Sequence, residues 1–236
     1  MLRPLRIAIT SGDANGIGPE VVAKALSRLG PQKNIQFFLW RNSDFPKKDL
    51  RRIQREFKLN TVGSWAEALA HTPRSNKDLI DICGSNNPGR WVEEAGRACT
   101  FKHLDALANA PLSKPTILEG GLKDLGHTDI LKRVSQTQNA YMVFIGEKFH
   151  TFLLTGHVPM RSLGEKFSAG MMEEGLKQVQ SFAKMMSLWD KNILKKPIGV
   201  LGLNPHAGDS GLIGTEENDY ISPVIQSFSK NPIKFE

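Results

Sequence analysis

Two histidines each follow a short apolar segment and lie beside a proline, a placement that leaves an imidazole available to a metal ion or a polar ligand. His157 lies in Thr-Gly-His-Val-Pro, and His206 lies in Leu-Asn-Pro-His-Ala-Gly. If both apolar segments are strands of one sheet, the two side chains can converge at its carboxyl edge on a divalent metal. The alternative is two hydrogen-bonded structural histidines. Two ligands do not complete a metal site, so a further ligand must come from elsewhere.

A glycine-rich turn connects the first apolar run to the first predicted helix. It reads Ser-Gly-Asp-Ala-Asn-Gly-Ile-Gly-Pro-Glu over residues 11–20 and includes Gly12, Asp13, Gly16 and Gly18. Backbone N–H groups at a helix N-terminus can bind an anion, and glycines let a ligand come close. The spacing matches neither the dinucleotide-binding Gly-x-Gly-x-x-Gly motif nor a P-loop. The turn is therefore a candidate phosphate or anion loop, with a tight strand-to-helix connection as the alternative.

Lys114 and the neighbouring pair His127 and Thr128 are the remaining candidates for chemistry. Lys114 follows a predicted strand, in Ala-Pro-Leu-Ser-Lys, at the end where open α/β sheets bind ligands. His127 and Thr128, in Gly-His-Thr-Asp, offer two hydrogen-bond donors to a phosphate or carboxylate at a helix start. The alternatives are a surface lysine, which the residues alone favour, and a helix cap beside an incidental histidine.

The composition is that of an ordinary globular protein. The chain has 236 residues, of which 40% are hydrophobic and 23% charged, which excludes disordered, collagen-like and disulfide-stapled classes. The net charge is 31 − 24 = +7. Because the basic residues are dispersed and no nucleic-acid-binding motif occurs, a small anionic substrate is favoured over a nucleic acid. Two cysteines and the lack of a signal sequence or membrane span predict a cytoplasmic protein with no membrane partner.

Strands and helices alternate along the first half of the chain. Apolar, β-branched runs predict strands at 5–10, 35–40, 79–83 and 104–110. Apolar residues at helical spacing predict helices over 19–29, 47–58 and 92–103, and a turn with a short helix over 111–121. The rest of residues 60–90 is rich in Asn, Pro, Gly and Ser, so we expect loops around the 79–83 strand.

The second half continues the pattern with one hairpin. It predicts a helix starting at 128–134, strands at 141–145 and 151–155 joined across 146–148, a long amphipathic helix over 168–188, a buried strand at 198–203 and a mostly helical segment over 214–230. Alternating strands and helices predict an α/β layered fold with a mostly parallel sheet and one antiparallel hairpin.

Five motifs, in this order, resemble those of the 4-hydroxythreonine-4-phosphate dehydrogenase family (PdxA) of vitamin B6 biosynthesis. They lie at residues 10–20, 110–114, 126–128, 155–159, and 201–208 with 214–217. The last, Leu-Gly-Leu-Asn-Pro-His-Ala-Gly followed by Gly-Thr-Glu-Glu, is long and distinctive. Together the motifs span most of the chain, so a chance similarity is improbable.

The resemblance implies a three-layer α/β/α fold of the isocitrate and isopropylmalate dehydrogenase type, and a homodimer. It implies NAD-dependent oxidation of 4-phosphooxy-L-threonine and metal-assisted decarboxylation of the β-keto acid. By the same match His157 and His206 are metal ligands, His127 and Thr128 hold the phosphorylated substrate, and Lys114 is a candidate catalytic lysine. Zinc, magnesium or cobalt are conceivable, and an imidazole-rich site favours zinc. The residues that bind NAD stay unassigned.

The resemblance also implies that family chains continue beyond residue 236, through a third metal histidine, an Asp-Gln-Gly motif and further substrate and dinucleotide contacts. We therefore expect a C-terminally shortened chain. Residues 1–110 would form the N-terminal part of the first domain, and 111–236 a truncated central domain for dimerisation and the metal. The alternatives are a related D-threonate or D-erythronate 4-phosphate dehydrogenase, and a ligand- or metal-binding remnant without turnover. A metal-dependent phosphate-ester hydrolase ranks lowest, because the sequence lacks carboxylate clusters.

Overall fold

The chain forms two compact units, each with its own core. A computed structural model describes residues 3–84, 87–231 and 233–236. The first unit ends at Ala140 and the second spans Tyr141–Glu236. The division comes later than the boundary after residue 110 that the sequence predicts, because the segment beyond residue 110 packs against helices of the first unit.

A fully parallel five-stranded sheet forms the centre of the first unit. Its strands are β1 (Leu5–Thr10), β2 (Ile35–Arg41), β3 (Lys58–Val62), β4 (Asp78–Cys83) and β5 (Ala106–Asn109). They lie in the order β3-β4-β2-β1-β5, and every neighbouring pair is parallel. The central strands β2 and β4 are buried along nearly their whole length, which explains their continuous apolar character.

Helices cover both faces of this sheet. The helices of the first unit are α1 (Gly18–Leu29), α2 (Lys47–Gln54), α3 (Trp65–Ala70), α4 (Pro88–Thr100), α5 (Lys114–Glu119) and α6 (His127–Val134). One apolar core joins α1 and α2 to one face, and a second joins α3 and α4 to the other. A third core packs α5 and α6 onto α4 and β5. The first unit is thus a three-layer α/β/α structure, and the predicted fold class is confirmed.

The sheet has a topological switch point between β1 and β5. These strands are neighbours, yet β1 leads into α1 on one face while β5 leads towards α5 and α6 on the other. Loops that leave neighbouring carboxyl ends in opposite directions leave a crevice between them, and open α/β sheets bind ligands there.

Two elements of the first unit, β3 and α3, lie where the sequence predicts only loops. β3 is an edge strand of mixed polarity, so it lacks the apolar run by which the other strands are predicted. The short helix α3 begins at Ser64, whose hydroxyl accepts the Glu67 N–H at 3.3 Å, while the Glu67 carboxylate accepts the Gly63 N–H at 3.0 Å. This is a variant of the capping box in which Glu67 bonds the residue before the N-cap, and the Ser-x-x-Glu spacing was the signal that could have revealed it.

The second unit has a helical core with one hairpin. β6 (Met142–Ile145) and β7 (His150–Leu153) pair antiparallel as predicted, and α7 (Leu163–Lys166), α8 (Ala169–Met186) and α9 (Ser222–Ser227) follow. The predicted strand at 198–203 does not form: within the described residues only Ile198 pairs, in an isolated bridge with Phe235. Ile198, Val200 and Leu203 instead pack their side chains against the α8 core.

Among the described residues, no helix combines the length and the apolar character that crossing a membrane requires.

Candidate functional site

The switch point of the first unit brings together the loop after β1 and the loop after β5. The Asp13 carboxylate (Oδ2) accepts the Ser113 N–H at 2.9 Å, and the Asp13 N–H donates to the Pro111 carbonyl at 3.2 Å. Just below, the Thr10 hydroxyl donates to the Asn109 side-chain oxygen at 2.9 Å. Two motifs a hundred residues apart in the chain are thereby joined directly at one edge of the sheet.

The glycines of the first motif permit this close approach. Gly12 has a φ of +68° and is buried, and a Cβ there would overlap the Pro111 carbonyl oxygen. A Cβ at Gly18 would overlap the Ser11 carbonyl oxygen, whereas Gly16 is exposed and has more room. Gly12 and Gly18 are therefore required by contacts within the protein. An anion-binding role for Gly12, Asp13, Gly16 and Gly18 stays a prediction.

His127 adds the third motif to the same place. It is the first residue of α6, and its Nε2 atom is buried without a hydrogen-bond partner, as is Oδ1 of Asp13. Burial lowers the pKa of His127, while the Ala110 carbonyl and the Asp13 charge act in the opposite direction. Burial therefore favours the neutral imidazole, and the loops at the switch point enclose two buried polar atoms for which the described residues supply no partner.

The other two predicted residues of this region are exposed. Lys114 is the first residue of α5, next to Ser113, whose hydroxyl caps the helix by accepting the Thr116 N–H at 3.3 Å. Within the described part of the chain Lys114 makes no ion pair. Thr128 follows His127 in α6 and faces solvent. The structure thus places both residues on helix starts at the switch-point edge, with their polar groups accessible.

An ion-pair network that the sequence analysis missed fixes α6 against α4. The Glu93 carboxylate accepts hydrogen bonds from Arg90 (2.8 Å), Arg97 (3.3 Å) and Arg133 (2.7 Å), and Arg133 also binds Asp124 at 2.8 Å. Arg133 belongs to α6, which begins at His127. The spacing of Arg90, Glu93 and Arg97 along one helix was visible in the sequence, but the bridge to Arg133 depends on tertiary packing.

A buried Arg–Asp pair lies further along the same sheet edge. Arg41, at the end of β2, binds both carboxylate oxygens of Asp81 at 2.7 Å, and the Thr61 hydroxyl donates to Asp81 at 2.7 Å. The Asp81 side chain is fully buried. These groups satisfy one another, so we interpret the pair as a structural link between β2, β3 and β4.

In the second unit, His157 and His206 are both exposed. His157 lies in the loop between β7 and α7. His206 lies in a left-handed turn: the residues from His206 to Ser210 have φ angles of 52°, 51°, 79°, 46° and 56°. Four of these five residues are not glycine, and each such residue costs roughly 1–3 kcal/mol of strain. Surrounding contacts must offset that cost, and such turns cluster at functional sites.

Asn204 and two glutamates supply those contacts. The Asn204 N–H donates to Glu217 Oε1 at 2.7 Å. Its side-chain amide donates to Glu217 Oε2 at 2.8 Å and to Glu216 Oε2 at 2.6 Å. We call Asn204, Glu216 and Glu217 the Asn204 clamp; it closes the loop that carries the left-handed turn. The hydrogen bonds from Asn204 lower the pKa of Glu217, against the effect of burial, so its carboxylate is ionised.

A metal role for the two histidines stays a prediction. Both offer exposed imidazoles, donors that suit zinc or cobalt. In the described part of the chain no group of three or more His, Cys, Asp or Glu side chains is arranged to hold a metal ion. His157 and His206 are therefore at most two ligands of a site that needs more.

Comparison with known proteins gives consistent matches. A family model described as "Pyridoxal phosphate biosynthetic protein PdxA" matches residues 70–236. A 4-hydroxythreonine-4-phosphate dehydrogenase of Sulfurihydrogenibium sp. is 29% identical, over 98% of this chain and 72% of the relative. A D-threonate 4-phosphate dehydrogenase of Salmonella typhimurium is 28% identical, over 93% of this chain and 69% of the relative. The crystal structure of a 4-hydroxythreonine-4-phosphate dehydrogenase from Klebsiella pneumoniae superposes with a TM-score of 0.72 at 24% identity, covering 99% of this chain and 73% of that one. At that identity the superposition shows the shared fold.

Proposed function

The chain belongs to the PdxA family, whose matched relatives are dehydrogenases, and we propose that it oxidises and decarboxylates 4-phosphooxy-L-threonine (4-hydroxythreonine 4-phosphate) with NAD. The product would be 3-amino-2-oxopropyl phosphate, a precursor of pyridoxal phosphate. The observation that carries the proposal is the convergence of the motifs at 11–13, 110–114 and 126–128 on one switch-point crevice.

In this proposal the crevice holds the phosphorylated substrate. His127 and Thr128 bind it at the start of α6: the Thr128 hydroxyl is exposed, and the buried, unpartnered Nε2 of His127 accepts a hydrogen bond from a substrate hydroxyl or amine once the loops after β1 and β5 part. The exposed Lys114 ammonium contributes a positive charge for the phosphate or carboxylate. The formal net charge of +7 also favours an anionic substrate.

We further propose that the enzyme uses NAD and a divalent metal. NAD would supply the hydride acceptor for oxidation of the secondary alcohol, and a divalent metal would supply Lewis-acid chemistry for the decarboxylation. His157 and His206 would contribute two metal ligands. Zinc or cobalt suits these imidazoles better than magnesium does.

A D-threonate or D-erythronate 4-phosphate is the second candidate substrate. Relatives named for 4-hydroxythreonine 4-phosphate and for D-threonate 4-phosphate are almost equally similar to this chain, at 29% and 28% identity. The two acids share the phosphate and the oxidisable hydroxyl and differ where one carries an amine. Similarity alone therefore leaves both open.

One assay separates these candidates. Purified protein is incubated with NAD and Zn²⁺, Co²⁺ or Mg²⁺, and NADH formation is compared between 4-phosphooxy-L-threonine and D-threonate 4-phosphate. We expect the first to give the higher kcat/KM and His127→Ala to lose most of it. A higher kcat/KM with D-threonate 4-phosphate would instead identify the protein as a dehydrogenase of that acid. Binding of either acid without NADH formation would support the remnant without turnover.

We propose a homodimer as the working form, with no nucleic-acid or membrane partner. The hairpin of β6 and β7 exposes three large apolar side chains: Phe144 is 57% exposed, Ile145 64% and Phe149 74%. Large exposed apolar side chains are common at protein–protein interfaces. Sedimentation velocity should show a dimer for the native chain and a shift towards monomer for Phe149→Ser. An unchanged dimer in that variant would place the interface elsewhere.

A further inference from the structure

The left-handed turn from His206 to Ser210 is a conformation that the chain does not adopt by preference. L-residues with positive φ are strained, and here four of them occur with a single glycine, Gly208. The turn has backbone bonds of its own: it lies within a 3-10 helix, Pro205–Gly211, and the N–H groups of Ala207, Leu212 and Ile213 donate to Asn204 at 3.1 Å, Asp209 at 3.2 Å and Gly208 at 3.1 Å. These bonds do not remove the strain of the four non-glycine residues at positive φ. A turn of this kind persists only when contacts outside it enforce the geometry.

Glu217 is the residue on which those outside contacts concentrate. It is 6% exposed, and its two carboxylate oxygens accept two hydrogen bonds from Asn204. Its Oε2 also lies against Gly208, where a Cβ would come within 3.1 Å of it. Glu216, in comparison, is only half-buried and makes one hydrogen bond to the same amide. Glu217 therefore contacts both the start of the loop and the middle of the turn.

The secondary structure at Glu217 also suits a residue that restrains the left-handed turn. It begins a single π-helical turn, Glu217–Ile221, which leads directly into α9. Such turns are rare and are frequently found at functional sites. Ile221 anchors the turn in the buried core of the second unit. The carboxylate is thus attached to an element that packs in the core, whereas His206 lies in an exposed part of the loop.

We propose that Glu217 is a positioning residue: acting through Asn204, its buried carboxylate holds the left-handed turn that presents His206 for metal binding. The inference rests on the proposed function for the metal role of His206, but the restraint on the turn itself follows from the contacts of the Asn204 clamp. Glu217 does not contact the metal in this scheme. Charge-assisted bonds of this type are stronger than neutral ones, so the carboxylate is preferred over an amide at this position.

The test combines hydrogen exchange with metal titration of the intact chain. Four proteins are compared: native, Glu217→Gln, His206→Ala and the double variant. Glu165→Gln serves as control, because Glu165 is exposed in α7 and makes no ion pair among the described residues. Amide exchange is followed over residues 204–211 by mass spectrometry, and Co²⁺ affinity is followed by the visible absorption of the bound ion.

We expect Glu217→Gln to raise the exchange rate over 204–211 about tenfold without a comparable change in α8, and to weaken Co²⁺ binding roughly tenfold, the lower end for supporting residues around metal ligands. In the His206→Ala background the same change should have no further effect on Co²⁺. Unchanged exchange over 204–211 would overturn the proposal, and so would an equal loss of affinity with and without His206.

The experiment also covers a Glu217→Gln variant that does not fold and a native chain that binds no Co²⁺. If Glu217→Gln fails to fold, Glu216→Gln removes the charge that strengthens one of the three clamp bonds and should give a smaller effect in the same direction; no effect on either readout would count against the clamp. If the native chain binds no Co²⁺, the metal role of His206 in the proposed function is refuted. The exchange data then still decide whether Glu217 holds the turn.

Discussion

The ion pairs around Glu93 make a pH-dependent contribution to the stability of the first unit. The Glu93 side chain is 13% exposed and is bound by Arg90, Arg97 and Arg133. Burial alone disfavours the ionised form, but the hydrogen bonds from the three arginines outweigh it and lower the pKa from 4.5 to about 2. Replacing Glu93 with Gln removes this charge at nearly constant shape.

The expected loss follows from that pKa. A difference of about 2.5 between 4.5 and about 2 corresponds to roughly 3.5 kcal/mol, at about 1.4 kcal/mol per pKa unit. The arginine side chains, however, are 45%, 56% and 40% exposed, so water and salt screen the interaction. We therefore expect Glu93→Gln to lower the free energy of unfolding by about 1–2 kcal/mol near neutral pH.

The direction in which stability changes with pH depends on whether the folded or the unfolded chain binds the Glu93 proton more tightly. Because the folded-state pKa of Glu93 lies below its ordinary value, the unfolded chain takes up the proton first as the pH falls. The contribution is complete above about pH 5 and is lost between about pH 5 and about pH 2. The stability difference between the native chain and Glu93→Gln should narrow over the same interval.

Urea unfolding at several pH values measures this difference. Three of the four tryptophans, Trp40, Trp65 and Trp91, lie in the first unit, so a Trp189→Phe background makes fluorescence report on that unit. Glu56→Gln is the matched control, because Glu56 is exposed and makes no ion pair within the described residues. Equal stability of Glu93→Gln and the native chain at neutral pH would refute the reasoning, as would a difference that stays constant down to about pH 3.

Three further predictions concern the sheet edge of the first unit. Gly12→Ala should cost about 3 kcal/mol or more and Gly16→Ala less than about 1, since Gly12 has a positive φ and a Cβ there would overlap the Pro111 carbonyl, whereas a Cβ at Gly16 meets no atom closer than 3.4 Å; equal losses in urea unfolding would contradict this. Asp81→Asn should cost about 3–5 kcal/mol by leaving Arg41 buried without its counter-charge, and a loss below about 1 would show that the pair contributes little. NMR titration of His127 should give a midpoint below 6.5, with stability falling as the unfolded chain protonates below that pH; a midpoint at or above 6.5 would be inconsistent with its burial.

The sequence predicted most elements whose periodicity is strong. The strand Leu5–Thr10, the helix Gly18–Leu29 and the long helix Ala169–Met186 lie where apolar spacing placed them. β3 was missed because an edge strand buries too little surface to need an apolar run. The run at 198–203 was misinterpreted because apolar character shows that a segment is buried, not what it pairs with.

At the candidate site too, the sequence predicted the residues but not the contacts between them. The motifs around Gly12, Lys114 and His127 were recognisable from residue types, and their order along the chain indicated the family. The contacts between these motifs could not be predicted from residue types, because the hydrogen bond from Ser113 to Asp13 joins residues that only the strand order brings together.

By itself the sequence determined the α/β fold class, the family and the list of candidate residues, since these depend on local spacing and residue type. The tertiary structure alone decided which candidates meet. It placed His127 beside Asp13 at the switch point, gave Gly12 its packing role and put His206 on a left-handed turn held by Glu217. The physical reason is that burial, close backbone approach and hydrogen bonding between distant segments depend on strand order and packing, which no local pattern of residues contains.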